Sequence, residues 1–139
     1  MSAFPVSLSI GSFRSALALA ISYARAGHRT VIVDCDFIGR AMSGMLGVLH
    51  APGVREVIRR GTLENEVVEA QHGVSVLPVG IDGTISASNL QVGAMRRMLR
   101  ALRDRFDVII VDAGPVTASV EAIPVAASCD GAMLVLRRG

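Results

Sequence analysis

The sequence contains no lysine and no tryptophan, and all 14 of its basic residues are arginines. A site that needs an ammonium group therefore cannot be completed from this chain alone. Aromatic residues make up only 4% of the chain, and the single tyrosine, Tyr23, falls within a predicted helix. The net charge of +2 is too small to indicate a nucleic-acid partner, and no aromatic residues alternate with the arginines to stack on bases.

Cysteines and long apolar runs are also scarce. Cys35 and Cys129 have neither the spacing of a metal site nor that of a secreted disulfide framework, so we expect reduced thiols. The apolar amino-terminal stretch has no basic region before it and is interrupted by Arg14, which argues against a signal peptide. No uninterrupted run reaches the ~18 residues of a membrane span. These absences predict a cytoplasmic protein.

Aliphatic residues dominate the rest, and the sequence is 51% hydrophobic. The apolar runs rich in β-branched residues that predict strands are 6–10, 30–33, 74–77, 108–111 and 132–136. The segments that predict helices are 15–26, 53–60 and 91–105. This alternation predicts an α/β fold, with a doubly wound parallel sheet of about five strands and helices on both faces. The length of 139 residues suits one domain.

Three aspartates follow two of the predicted strands. Asp34 and Asp36 lie in "TVIVDCD", and Asp112 ends the strand in "FDVIIVDAGPV". Parallel sheets bind ligands beyond the carboxyl ends of their strands, so we expect Asp34 and Asp112 to meet at that edge. Carboxylates there can hold Mg²⁺ or accept a proton from an attacking hydroxyl. The competing interpretation is that each caps a helix or forms a turn.

Several segments in fixed order resemble a known family. They are "AGHRTVIVDCD", "GVREVIRRGTLENEV", "GVSVLPVG", "LRALRDRFDVIIVDAGPV" and "CDGAMLVLRRG". Together they resemble the cytoplasmic ATPase domain of the bacterial tyrosine kinases that regulate capsular and exopolysaccharide chain length. These kinases are deviant-Walker ATPases with a P-loop NTPase fold. The resemblance extends from about Ala16 to the last residue.

The resemblance implies a site and its ligands. It implies ATP and Mg²⁺ as cofactors, catalytic roles for Asp34, Asp36 and Asp112, and Mg²⁺ at Asp34 and Asp112. The implied partner is a membrane-domain polysaccharide co-polymerase or a second copy of the chain. The protein would then lie in the cytoplasm at the inner face of the membrane, held there through that partner.

The phosphate-binding loop departs from the family pattern GxxxxGK[ST], in which lysine reaches the β and γ phosphates. At the family spacing, the glycine–lysine pair falls on Gly11 and Ser12, and the following hydroxyl falls on Phe13. The planar guanidinium of Arg14 is a poor replacement for an ammonium group inside the loop. Gly11, Ser12 and Arg14 are thus at most a remnant of a phosphate loop, and a simple strand-to-helix turn is favoured. We expect ATP with Mg²⁺ to bind weakly or not at all.

The family pattern also has segments before and after this chain, so residues 1–139 are expected to be one domain, incomplete at both ends. The main functional hypothesis is a regulatory or protein-binding module of exopolysaccharide assembly, defective in ATP turnover. One alternative is an active tyrosine kinase whose site is completed in trans. Another is a partitioning or positioning ATPase that binds DNA or membrane through Arg96, Arg100 and Arg103. A solvated helix face is favoured for these arginines, and no nucleic-acid partner is expected.

Overall fold

The computed structural model describes residues 6–10, 13–86, 89–114 and 129–134. Among them is one six-stranded sheet in the order β3-β4-β2-β5-β1-β6. The strands are β1 (Val6–Ile10), β2 (Thr30–Asp34), β3 (Val68–Glu69), β4 (Val74–Leu77), β5 (Val108–Gly114) and β6 (Gly131–Leu134). The helices are α1 (Phe13–Arg25), α2 (Ala41–Met45), α3 (Val54–Arg60) and α4 (Val92–Arg103), with a 3₁₀ turn at Gln71–Gly73.

The predicted α/β sheet is confirmed. β1, β2, β4, β5 and β6 pair in parallel, and their described bounds overlap all five predicted strands. The predicted end of the last strand, at 135–136, lies outside the described residues. The sequence did not predict β3, which pairs antiparallel with β4 at one edge. It also did not predict α2, a helix of five residues.

Helices cover both faces of the sheet, as predicted for a doubly wound fold. Because side chains alternate along a strand, Val31 and Val33 of β2 pack on one face and Ile32 packs on the other. The first face is covered by α3 and α4, the second by α1 and α2. The buried stripe of α4 consists of Met95, Met98, Leu99 and Leu102.

The start of α3 is held against the segment that follows β4, residues 78–82, which we call the β4 exit loop. The backbone N–H of Val54 donates to the carbonyl of Pro78 at 2.8 Å, and that of Arg55 donates to Val79 at 3.1 Å. The Glu56 carboxylate accepts from the backbone N–H of Gly53 at 2.7 Å and from that of Asp82 at 2.8 Å. These bonds satisfy N–H groups that a helix start leaves without intrahelical partners.

Within the ranges that the structure describes, no helix has both the length and the apolar character needed to cross a membrane.

Candidate functional site

Asp34 and Asp112 lie side by side at the carboxyl edge of the sheet. β2 and β5 are neighbours, and their parallel register pairs Asp34 directly with Asp112. The backbone N–H of Cys35 continues this pairing by donating to the carbonyl of Asp112 at 2.7 Å. The predicted placement of the two aspartates is therefore confirmed. Their roles in catalysis and in Mg²⁺ binding stay predictions.

The Asp34 carboxylate is fully buried and joins three segments of the chain. One oxygen, Oδ1, accepts from the backbone N–H of Asp36 at 3.0 Å. The other, Oδ2, accepts from the backbone N–H of Ser43 at 3.0 Å and from its hydroxyl at 2.5 Å. The Ser43 hydroxyl oxygen in turn accepts from the backbone N–H of Val79 at 3.1 Å. Asp34 thus connects the end of β2 to α2 and, through Ser43, to the β4 exit loop.

Sequence reasoning did not identify Ser43 as part of this site. It lies nine residues after Asp34 in a short helix that has no side-chain cap, so no motif marks it. Its importance follows from the fold, which brings α2 and the β4 exit loop to the same carboxylate. Ser43 is completely buried, and its backbone N–H and its hydroxyl both contact Asp34.

Burial raises the pKa of the Asp34 carboxyl above its ordinary value. The hydrogen bonds from Ser43 and Asp36 oppose this rise, and the nearby negative charge of Asp36 adds to it. The net effect is that the Asp34 carboxyl group binds a proton more tightly than an aspartic acid side chain in water does.

The raised pKa of Asp34 predicts a pH dependence of folding. Because the folded state binds this proton more tightly, the stabilisation is fully present below the unfolded pKa and is lost as pH rises through the folded pKa. We expect wild type to gain stability relative to Asp34→Asn as pH falls from about 7 to about 4. Urea unfolding of both proteins over this pH range measures the difference.

Asp107→Asn provides a control of opposite sign. The hydrogen bonds from Arg29 lower the pKa of the Asp107 carboxyl, so its stabilisation is present at higher pH and is lost on acidification. Wild type should therefore lose stability relative to Asp107→Asn as pH falls below about 4, and the urea series for this pair is extended below that pH. Equal slopes for the two variants would contradict the environment described for Asp34.

Asp36 is buried within a turn directly after β2. Its Oδ1 accepts from the backbone N–H of Gly39 at 2.9 Å, and its carbonyl accepts from the backbone N–H of Arg40 at 3.0 Å. A Cβ on residue 39 would lie 2.5 Å from Oδ2 of Asp36, so glycine permits this close approach. These contacts are those of the turn-forming interpretation, and a catalytic role for Asp36 stays a prediction.

The arginines near the site make contacts with backbone atoms. Arg40, at a left-handed φ of 53°, donates from Nη2 to the carbonyl of Leu49 at 2.7 Å. Arg55 donates from Nη2 to the carbonyl of Phe37 at 3.0 Å and lies over that ring. Arg14 is exposed in the first turn of α1. Gly11 and Ser12 lie outside the described residues, so the phosphate-loop remnant stays a prediction.

The described residues fit Mg²⁺ poorly. A carboxylate offers about four lone-pair positions, and three of those on Asp34 already accept hydrogen bonds. Asp112 is 1% exposed, so little of its surface is open to a hydrated ion. Over the described ranges, His, Cys, Asp and Glu side chains form no group of three or more that could hold a metal ion.

Comparison with known proteins identifies relatives of the chain. No family model matches it. A tyrosine-protein kinase CpsD from Streptococcus pneumoniae is 30% identical over 133 residues, which cover 93% of this chain and 58% of that protein. The chain is a homologue of bacterial tyrosine kinases. The resemblance predicted from the sequence is therefore confirmed, although the chain spans little more than half the length of this relative.

Three further proteins are similar to the chain in fold or in sequence. The VpsO kinase domain has a TM-score of 0.81 and 26% identity, over 95% of this chain and 70% of that one. The septum site-determining protein MinD from Pyrococcus horikoshii, complexed with Mg-ADP, shares the fold with a TM-score of 0.73 and 21% identity. The match covers 94% of this chain and 57% of that one. The chromosome-partitioning ATPase Soj from Thermus thermophilus is 36% identical over 107 residues, which cover 76% of this chain and 42% of that protein.

Proposed function

We propose that this homologue of bacterial tyrosine kinases is defective in ATP turnover and acts as a regulatory or protein-binding module of exopolysaccharide assembly. The observation that supports this most directly is the environment of the Asp34 carboxylate. This carboxylate is buried and accepts three internal hydrogen bonds, which makes it part of the folded framework. The complete absence of lysine supports the same conclusion from the sequence.

The physical reason is the negative charge of the phosphate groups that take part in the reaction. Phosphoryl transfer depends on positioning and on neutralising negative charge around the γ-phosphate. This chain would bring the carboxylates of Asp34, Asp36 and Asp112 to the sheet edge without a lysine to balance them. Mg²⁺ supplies neutralising charge when it is bound, but the buried Asp34 has little capacity left for it. ATP with Mg²⁺ is accordingly proposed to bind weakly or not at all.

The remaining parts of the proposal rest on the kinase relatives. Residues 1–139 are proposed to be one P-loop NTPase-like domain that forms part of a larger unit. Its partner would be a membrane-domain polysaccharide co-polymerase or a second copy of the chain. The domain would then work in the cytoplasm at the inner face of the membrane, through that partner and without nucleic acid.

We expect no measurable ATP hydrolysis and no tyrosine phosphorylation by the isolated chain. Turnover should be at least ~1000-fold below that of a kinase domain with a complete site, since a single missing cationic group at the transferred phosphate has effects of this size. The test is a radiolabelled-ATP assay on the purified chain, with the VpsO kinase domain as the positive control. Asp112→Ala gives the background.

Two outcomes would contradict the defective-turnover proposal. Wild-type activity that disappears in Asp112→Ala would show that the site works in the isolated chain. Activity that appears only when a membrane-domain partner is added would support a kinase site completed in trans. Equal signals from wild type and Asp112→Ala, with and without the partner, support the proposal.

The identity to Soj supports a second candidate, a positioning ATPase that binds DNA or membrane. Gene neighbourhood separates the two candidates at little cost. Polymer exporters and glycosyltransferases beside the gene support the exopolysaccharide module, whereas a partition operon supports the positioning ATPase.

A further inference from the structure

The outer edge of β3 has backbone groups that point away from the sheet. Among the described strands, β3 stands at the end of the sheet and pairs only with β4. The backbone N–H of Ala70 donates to the carbonyl of Val74 at 2.8 Å, which continues the register that pairs Glu69 with Ser75. Hydrogen-bonded and non-hydrogen-bonded pairs alternate in an antiparallel ladder, so Glu69 directs its N–H and its C=O away from β4. This exposed residue therefore offers one donor and one acceptor to a further strand.

An apolar groove with a volume of about 280 Å³ lies beside this edge, and we call it the β3 groove. Met45, Leu46 and Val48 line it on the side of α2, and Val68 and Val76 line it on the side of the sheet. Val68 and Val76 are paired in the register, so their side chains lie on the same face of the sheet. Val76 is completely buried, whereas Met45 is 60% exposed. The β3 groove thus presents apolar surface next to the outward backbone groups of the strand.

β3 carries one charge, on the exposed side chain of Glu69. Among the described residues, this carboxylate has no ion-pair partner. Because side chains alternate along a strand, it lies on the face of the sheet opposite the β3 groove. Opposite charges on directly opposed residues stabilise a strand pair, and like charges destabilise it. A basic residue placed opposite Glu69 in an added strand would therefore be favoured.

A second copy of the chain fits this edge poorly. When two β3 strands pair in antiparallel fashion about a two-fold axis, Glu69 of one copy faces Glu69 of the other, because it is the residue of β3 whose backbone groups point outwards. The two carboxylates would then be directly opposed, which destabilises the pair. The charge of the edge thus selects a basic partner over a second copy.

From this geometry we infer that the outer edge of β3 and the β3 groove bind an extended peptide segment in which a basic residue lies between two apolar residues. Such a segment adds a strand to the sheet. Its backbone exchanges two hydrogen bonds with Glu69, and its basic side chain pairs with the Glu69 carboxylate. The two apolar side chains point to the opposite face and enter the β3 groove beside Met45, whose unbranched side chain adapts to different apolar shapes. The inference rests on the protein-binding role proposed above and gives that role a surface.

The test is a titration of the isotope-labelled full chain with a synthetic peptide, followed by NMR. The peptide is Gly-Thr-Val-Arg-Val-Thr-Gly with both ends blocked, so that a valine stands on each side of the arginine. We expect saturable shifts centred on the backbone amide of Glu69 and the methyl group of Met45. A second peptide, with glutamate in place of arginine, should bind ~5-fold more weakly because it replaces an attractive cross-strand pair with a repulsive one.

Substitutions in the chain separate the charge of the edge from the groove. Glu69→Arg, at an exposed position, should reverse the preference, so that the glutamate peptide binds more tightly. Asp104→Arg is the matched control, because Asp104 is exposed at the end of α4 and its replacement changes the net charge equally. Met45→Gln should weaken the binding of both peptides ~3-fold or more, since it places a polar group in the groove. Ile38→Gln, at a residue that is 66% exposed and does not line the groove, should leave binding unchanged.

Saturable binding whose preference reverses in Glu69→Arg but not in Asp104→Arg supports the inference. The absence of saturable shifts overturns it, as do equal affinities of the wild type for the two peptides and equal effects of Met45→Gln and Ile38→Gln. Shifts of the Glu69 amide that depend on protein concentration without peptide would show a second copy at this edge and also overturn it. The titration contains no nucleotide, so its failure leaves the defective-turnover proposal in place, and the radiolabelled-ATP assay tests that proposal separately.

Discussion

Replacing Ser43 with alanine is expected to destabilise the fold by ~2–3 kcal/mol. The hydroxyl donates to Asp34 at 2.5 Å and accepts from the backbone N–H of Val79 at 3.1 Å. Alanine removes both bonds and leaves the Val79 N–H buried without this acceptor. It also removes a hydrogen bond that holds the pKa of Asp34 down, so the pKa of that carboxyl should rise further. Urea unfolding at neutral pH measures the loss of stability.

Ser22→Ala serves as the control for the Ser43 variant. Ser22 is exposed within α1, where alanine is the better helix former, so a neutral or slightly positive effect on stability is expected. Ser43→Thr keeps the hydroxyl but adds a methyl group to a fully buried position, so it should also destabilise the protein. A loss below ~0.5 kcal/mol in Ser43→Ala would show that the connection between Asp34 and the β4 exit loop contributes little.

Gly53→Ala should destabilise the protein by ~3 kcal/mol or more. Gly53 is buried where α3 meets the β4 exit loop, and a Cβ there would overlap the carbonyl oxygen of Pro78. That oxygen cannot move freely because it accepts the hydrogen bond from the N–H of Val54 at 2.8 Å. The alanine variant must therefore lose this contact or displace α3. Thermal unfolding of the variant and the wild type measures the effect.

The matched control is Gly44→Ala. Gly44 lies in α2 and is exposed, and a Cβ added there would have no neighbouring atom within 4 Å. Alanine in a helix is favoured over glycine by ~0.5–1 kcal/mol, so this variant should be slightly more stable than the wild type. Similar effects of the two alanine substitutions would show that the contact at Gly53 is more adaptable than its geometry indicates.

The sequence predicted the parallel strands well. A strand that is buried on both faces of the sheet has a continuous run of β-branched residues, which is visible in the sequence. It also predicted the meeting of Asp34 and Asp112, since both aspartates follow strands of one parallel sheet. β3 has two residues and depends on its pairing with β4, so its own sequence contains too little information to predict it. The same limitation applies to α2, which begins after Arg40 in a left-handed conformation.

The candidate site was less predictable than the fold. Sequence position marks the aspartates but does not show how their carboxylates are used. That Asp34 accepts hydrogen bonds from Ser43 depends on contacts between segments distant in sequence. Arg40 lies only four residues after Asp36, yet its Nη2 donates to the carbonyl of Leu49. Such contacts follow from tertiary packing and cannot be predicted from local sequence.

The position of β1 has a consequence for how the chain acquires its structure during synthesis. β1 pairs with β5 on one side and with β6 on the other. Val6 therefore cannot pair until Ile109 has been synthesised, and Ser7 cannot pair with β6 until Gly131 has been synthesised. β1 thus emerges from the ribosome about a hundred residues before β5, and β6 follows later still. Pairing over such separations requires the closure of long loops and slows folding. Until then its apolar residues remain exposed to chaperones and to other nascent chains.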